Sequence, residues 1–207
     1  MKPPTPTALQ LQELLNWAVP RKNLKEDGVW GPKSQAAWDA YWGAPEGGLT
    51  DRIVSLALAE VGVHETSHNS GVRVQVYQSC TWLDPGPWPW CAAFVCAILK
   101  WAKGPDQRWK SPRTAGAWDF EEWARSDLRS GGEAAGVKLV KPPAGIKRGD
   151  IVVFKFSHID IAVEDEDRGG FVSTVEGNTD DDGGREGDGV YRKTRKGSQV
   201  RSVIRLE

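Results

Sequence analysis

A cysteine placed for nucleophilic chemistry occurs in the middle of the chain. Cys91 follows Trp88-Pro89-Trp90 and directly precedes an apolar helical pattern that ends near Gly104. At the start of a helix, unpaired backbone N–H groups and the positive end of the helix dipole stabilise a thiolate. The same N–H groups can hold an oxyanion. Since most lone cysteines are small buried hydrophobes, the position alone leaves both interpretations open.

A histidine and two polar residues on predicted strands supply the partners that a thiol needs. The stretches on either side of a predicted turn at 165–170 have the residue types of strands. If this turn closes a hairpin, residues whose numbers sum to about 336 lie opposite each other, which brings Glu176 and Asn178 within reach of His158. We therefore predict Cys91 as nucleophile, His158 as base, and Glu176 or Asn178 as the residue that orients the base. A histidine satisfied within the sheet is the alternative.

Composition limits the classes of protein to consider. The 207 residues carry a net charge of -1, and this lack of a basic excess predicts no nucleic-acid partner. No apolar run approaches the ~20 residues that span a bilayer, so we expect no membrane partner. The first residues lack the apolar segment of a signal peptide, which predicts synthesis in a cytoplasm without a Sec signal. The three cysteines form no disulfide framework.

The order of the predicted elements favours an α+β fold with an antiparallel sheet. Gly- and Pro-containing residues 44–49 are predicted to link a small helical domain (1–43) to a larger domain (50–207). Residues 72–77 fit either a short helix or an extended segment, and residues 126–149 are predicted to be irregular. Helices are predicted at 7–17, 33–42, 51–61, 92–101 and 113–125, and strands at 151–156, 158–165, 171–176, 189–195 and 199–206.

A leucine-rich helix near the start of the chain is followed by D-G-V-W-G-P-K-S-Q-A-A-W-D-A-Y from Asp27 to Tyr41. Over residues 7–43 this pattern resembles the small three-helix peptidoglycan-binding domain. The resemblance implies that the first domain binds bacterial cell wall, with Trp30 and Trp38 as candidate contacts. The alternative is an accessory helical domain whose tryptophans fill its own small core.

Four motifs follow one another along the larger domain: W-C-A-A-F-V (90–95), G-D-I-V-V-F (149–154), S-H-I-D-I-A-V (157–163) and V-E-G-N-T (175–179). They resemble the CHAP family, cysteine- and histidine-dependent amidohydrolases and peptidases with a papain-like fold. The resemblance implies that Cys91 is the nucleophile, that His158 is the base, and that Glu176 and Asn178 orient it.

One position departs from the family pattern. Where the family usually has Val followed by Gly or Ala after the histidine, this chain has Ile159-Asp160. Asp160 adds a second carboxylate beside the base and leaves the orienting role divided. The acidic run at 180–182, with Glu186 and Asp188, lacks the spacing of a calcium loop, so we expect a solvated loop, no metal and no cofactor.

The resemblance implies a peptidoglycan hydrolase that cleaves an amide bond by a Cys/His mechanism, as an N-acetylmuramoyl-L-alanine amidase or an endopeptidase. We expect a monomeric phage endolysin, made in the host bacterial cytoplasm and acting on the wall after holin-type release or secretion. The alternatives are a secreted bacterial effector or autolysin, a non-catalytic wall-binding protein, and an amidohydrolase of protein side chains. Trp88, Trp90 and Tyr77 are predicted substrate contacts, with burial as the alternative for both tryptophans.

Overall fold

A computed structural model describes residues 8–18, 24–27, 47–103, 109–129, 136–142, 145–182, 184 and 186–207. Within these residues the fold is α+β, as the order of the predicted elements indicated. The helices are α1 (Ala8–Ala18), α2 (Leu49–Ala59), α3 (Val72–Gln78), α4 (Cys91–Ala102) and α5 (Asp119–Arg129). The strands are β1 (Val137–Val140), β2 (Ile151–Phe154), β3 (Ile159–Ala162), β4 (Phe171–Thr179), β5 (Gly189–Lys196) and β6 (Val200–Leu206). Among the described helices, none is long and apolar enough to cross a bilayer.

The six strands form one antiparallel sheet in the order β1-β6-β2-β3-β4-β5. In the hairpin of β3 and β4, Ile161 pairs with Val175 and Ala162 pairs with Thr174. This is the register predicted from the turn at 165–170. It places Asp160 opposite Glu176, one residue beyond the recorded pairs.

The main hydrophobic core lies between the sheet and helices α2, α3 and α4. Nearly every residue of α4 is buried, Lys100 being the exception. Each large aliphatic or aromatic side chain buried here contributes about 1.5–3 kcal/mol. The helix approaches β4 very closely, because a Cβ at Gly177 would lie only 2.7 Å from the Cβ of Phe94. The lack of a side chain at Gly177 therefore sets how near the start of α4 comes to β4.

A smaller apolar cluster covers the opposite face of the sheet. It contains Val152, Phe154, Ala162, Val172 and Val203, all fully buried. Because side chains alternate along β3, Ile159 and Ile161 pack toward the helices, whereas Asp160 and Ala162 lie on the face of the second cluster. The sheet thus has an apolar layer on both faces.

Three details of the structure differ from the expectations or decide between them. The helix predicted at 113–125 is α5, which begins at Asp119, because Thr114 accepts a hydrogen bond from Gly116 N and donates one to Asp119, forming a turn. The region 126–149, predicted to be irregular, contains β1, whose partner β6 lies far along the chain. The ambiguous segment 72–77 is helical, as α3.

Near the start of the chain, the helix predicted at 7–17 is confirmed as α1. The side chain of Asn16 holds the following segment, because its amide donates to Leu24 O at 2.8 Å and accepts from Leu24 N at 2.6 Å. The predicted helix at 33–42 and the predicted wall contacts Trp30 and Trp38 lie outside the described residues.

Candidate active site

Cys91 is the first residue of α4, as predicted, and Trp90 is its N-cap. The first intrahelical hydrogen bond runs from Phe94 N to Trp90 O, so the N–H groups of the preceding residues of this turn have no acceptor within the helix. The Cys91 thiol is free and the residue is 6% exposed. The sulfur therefore lies beside several N–H donors in a largely dry environment, where dipoles act strongly on a charge.

Asn178 holds the start of α4 against β4. Its side-chain oxygen accepts a hydrogen bond from Trp90 N at 2.9 Å, and its side-chain nitrogen donates to Asn69 Oδ1 at 3.0 Å and to Gly187 O at 2.9 Å. Its backbone is in the left-handed region, with φ 59°. The sequence predicted that Asn178 orients His158, but the amide is bonded to these other groups instead. We therefore assign Asn178 to positioning the helix that carries the nucleophile.

His158 lies between the nucleophile and two carboxylates. Its Nε2 is 3.1 Å from Asp160 Oδ1 and 3.4 Å from Glu176 Oε2, and all three side chains are fully buried. Burial alone would lower the pKa of the imidazole, but the nearby charges of Asp160 and Cys91 raise it well above its usual value. The charged imidazolium is thus favoured. With Nε2 facing the carboxylates, Nδ1 is the nitrogen left for the thiol.

Arg195 of β5 fixes the charge of Glu176. Its Nε donates to Glu176 Oε1 at 2.7 Å and its Nη2 is paired with Oε2, while Thr174 Oγ1 donates to Oε1 at 2.7 Å. Burial raises the pKa of Glu176, but hydrogen bonds from His158 and Arg195 outweigh it and lower that pKa to about 2. Glu176 is therefore a carboxylate at neutral pH.

Arg195 and the aromatic residues beside it were not among the site residues predicted from the sequence. The guanidinium carbon of Arg195 lies 5.5 Å from the ring centre of Phe156 and 5.9 Å from that of Phe154. Phe156 in turn stacks on the His158 ring, with centroids 6.0 Å apart and an interplanar angle of 16°. The only available signal was the cross-strand register, which puts Arg195 opposite Val172, on the same face as Glu176. These groups shield the imidazole from water.

Two of the three predicted substrate contacts are core residues. Trp90 is fully buried, stacks on Tyr77 at 5.5 Å, and donates from Nε1 to Glu65 Oε1 at 2.6 Å. Tyr77 is also fully buried, and its hydroxyl donates to Glu60. Neither ring has a free face for a ligand, so both are corrected to structural roles. Trp88 is half-buried and remains a candidate contact.

An acidic groove of about 420 Å³ borders the site. Glu65, Asn69 and Gly187 belong both to its lining and to the contacts of Asn178. The acidic run predicted to be a solvated loop lines the same groove, through Asp180, Asp181 and Asp182. The negative charge in this region is therefore concentrated beside the N-terminal end of α4.

His158, Asp160 and Glu176 each offer one donor atom, and these atoms lie within 4.8 Å of one another, a spacing that a metal ion can use. The cationic Arg195 is bonded to Glu176 in the same pocket, and its charge opposes a second cation there. We therefore treat the three residues as an acid–base cluster and assign no metal to them.

No family model and no curated protein sequence matches this chain. What the site can do thus follows from its own geometry. A thiol at a helix N-terminus lies beside an imidazole whose charged form is stabilised by buried carboxylates. Such a combination activates a thiol for attack on a carbonyl carbon and supplies a proton for the leaving group.

Proposed function

We propose that this chain hydrolyses amide bonds with Cys91 as nucleophile and His158 as general acid and base. The observation that carries the proposal is that two distant segments, the first turn of α4 and the residue directly before β3, meet at one buried imidazole. A structural cysteine has no need of an ionised partner, whereas a nucleophilic one does. The carboxylate of Glu176 supports the imidazolium as the third group of such a set.

In the proposed reaction, the Cys91 thiolate attacks the amide carbon, and the N–H groups of the first turn of α4 face the resulting oxyanion. The His158 imidazolium donates its proton to the leaving amine nitrogen, the C–N bond breaks, and a thioester remains. Neutral His158 then takes a proton from water as the oxygen attacks the thioester. The carboxylic acid leaves and the thiolate–imidazolium pair is restored.

We further propose that the substrate is bacterial peptidoglycan. Two sequence patterns support this: residues 7–43 resemble a peptidoglycan-binding domain, and the motifs around Cys91 and His158 resemble a family rich in wall hydrolases. A phage endolysin and a secreted bacterial hydrolase share this chemistry. The cleaved bond is either the muramoyl–alanine amide or a peptide bond of the stem or cross-bridge.

The test is digestion of purified sacculi with the wild type and with Cys91→Ser, followed by mass spectrometry of new amines. We expect the substitution to lower amine release by about a thousandfold, because the hydroxyl is a far weaker nucleophile. Cys80→Ser, at a buried thiol outside the site, is the matched control and should retain activity. A new free L-Ala N-terminus identifies an amidase, and a stem or bridge N-terminus an endopeptidase.

Two results would contradict the proposal. Equal release by Cys91→Ser and wild type would remove the nucleophile. Binding of wild-type protein to sacculi with no new amines would leave a wall-binding protein without this activity.

A further inference from the structure

The two carboxyl groups behind His158 are not equivalent. Glu176 is bonded to Arg195 and Thr174, whereas Asp160 lies beside the His158 imidazole, whose Nε2 it shares with Glu176. Both oxygens of Asp160 are buried, and within the described residues neither makes a hydrogen bond of standard geometry. A buried carboxylate that shares one imidazole with a second carboxylate is poorly compensated, while a carboxylic acid needs only one acceptor.

The charges of the site also point to a proton on Asp160. If every group were ionised, three anions, Cys91, Asp160 and Glu176, would face two cations. Two carboxylates that share one dry site do not both ionise readily. One proton on an acid group balances the charges and removes the repulsion.

Cross-strand geometry lets the two acids share that proton. The β3–β4 register puts Asp160 opposite Glu176, where side chains begin about 5 Å apart at Cβ. Burial and the charge of Glu176 both raise the pKa of Asp160 well above its usual value, whereas the pKa of Glu176 is lowered to about 2. The acid that is not paired with Arg195 is thus the one that holds the proton.

We propose that Asp160 is protonated in the resting protein and hydrogen-bonds to Glu176, so that the two side chains act as one singly charged pair that positions His158. For its role in catalysis the proposal rests on the proposed amide hydrolysis. A single net charge holds the imidazole in place and favours its charged form. Two full charges would hold the proton more tightly and make His158 a poorer acid toward a leaving amine.

The charged groups that face this pair come from α4, from the segment before β3, and from β4 and β5. Val152 of β2, opposite Asp160, is apolar and fully buried, so it adds no charge. The titratable or charged groups are Cys91 from α4, His158 directly before β3, Glu176 from β4, and Arg195 and Tyr191 from β5. Tyr191 lies opposite Glu176, and its hydroxyl donates to Asp188.

The decisive comparison is between Asp160→Asn and Glu176→Gln, two isosteric changes that remove the ability to ionise. The readout is the titration of the His158 ring, followed by NMR in the whole protein. We expect the midpoint to stay within about 0.3 pH of wild type in Asp160→Asn, since a neutral group replaces a neutral group. In Glu176→Gln it should fall by about one pH unit or more, because the negative charge is lost. An equal fall in both variants would overturn the proposal.

A measurement on the wild type covers the case in which a variant fails to fold. With isotope-labelled aspartate, infrared spectroscopy at pH 7 should show the carbonyl band of one protonated aspartic acid. If all aspartates are ionised at pH 7, the proposal is wrong.

Measurements of kcat test whether Asp160 positions His158. Asp160→Ala should lower kcat by about tenfold or more, as loss of a residue that orients a catalytic group does. Asp160→Asn should recover most of that loss, because its amide can still donate to Glu176. Failure of the amide to recover activity would argue against a donor role.

The NMR and infrared measurements need no peptidoglycan, so they separate this proposal from the proposed function. If the wild type releases no amines but Asp160 is protonated, only the hydrolase proposal fails. If amines are released while Asp160 is ionised, only the proposal that Asp160 is protonated fails.

Discussion

Replacing Arg195 by Met tests whether the buried ion pair between Arg195 and Glu176 stabilises the folded sheet in addition to its role in the site. The side chain of Arg195 is 11% exposed and that of Glu176 is fully buried. Met retains the apolar stem that packs near Phe154 and Phe156, so the main loss is the charge. Removal of one partner of a buried pair leaves the other charge uncompensated, which typically costs 3–5 kcal/mol.

The pKa of Glu176 gives an independent magnitude. A fall from its usual 4.5 to about 2 corresponds to about 3 kcal/mol of folding free energy, which His158 and Arg195 supply together. Because the folded-state pKa is the lower one, this stability is present above about pH 4.5 and is lost as the pH falls through about 2. Because His158 remains to supply part of this energy, we expect Arg195→Met to cost about 2 kcal/mol at pH 7, less than the typical loss for a buried charge left with no partner. The difference in unfolding free energy between the variant and the wild type should disappear as the pH falls from about 4.5 to about 2.

Urea denaturation over a series of pH values measures both quantities. The matched control is Arg192→Met on the same strand, where Arg192 pairs with Glu164 and the side chains are 49% and 60% exposed. Such a surface pair contributes less than about 1 kcal/mol. If Arg195→Met destabilises no more than Arg192→Met, or if its deficit is the same at pH 3 and pH 7, the reasoning from burial and charge is wrong.

Two other predictions concern the packing and reactivity of α4. Gly177→Ala should destabilise the protein by about 1–3 kcal/mol in urea denaturation, because the new methyl would lie 2.7 Å from the Cβ of Phe94. The control Gly48→Ala should have little effect, since no heavy atom lies within 4 Å of its new methyl. Equal losses of stability in the two variants would contradict this account. In native protein, iodoacetamide should label Cys91 well before Cys96, since burial raises the pKa of the Cys96 thiol. Peptide mass spectrometry measures the order of labelling, and labelling of Cys96 first would refute this prediction.

The hairpin beside His158 could be predicted from the sequence because the residues that determine it lie close together along the chain. A turn at 165–170 and the strict alternation after His158 fix both the register and the face of each side chain. The start of α4 was predictable for the same reason, since Cys91 lies directly between a Pro-containing segment and an apolar helical pattern.

Features that depend on distant pairing were harder to predict. Arg195 lies on a strand of alternating exposed and half-buried residues, which is the pattern of a solvent-facing edge. Its contact with Glu176 depends on the length of its side chain and on the close approach of β5 to β4. Similarly, β1 has only four residues, and the strand it pairs with, β6, is more than 60 positions away in sequence.

The sheet order has a consequence for how the protein is made. The strand that is synthesised last of the six, β6, lies inside the sheet between β1 and β2. Until β6 emerges from the ribosome, β1 has no partner and β2 keeps one open edge. The early helices and the β3–β4 hairpin can form before then, but the layer that supports them cannot close. A nascent chain should therefore gain its full fold in one late step.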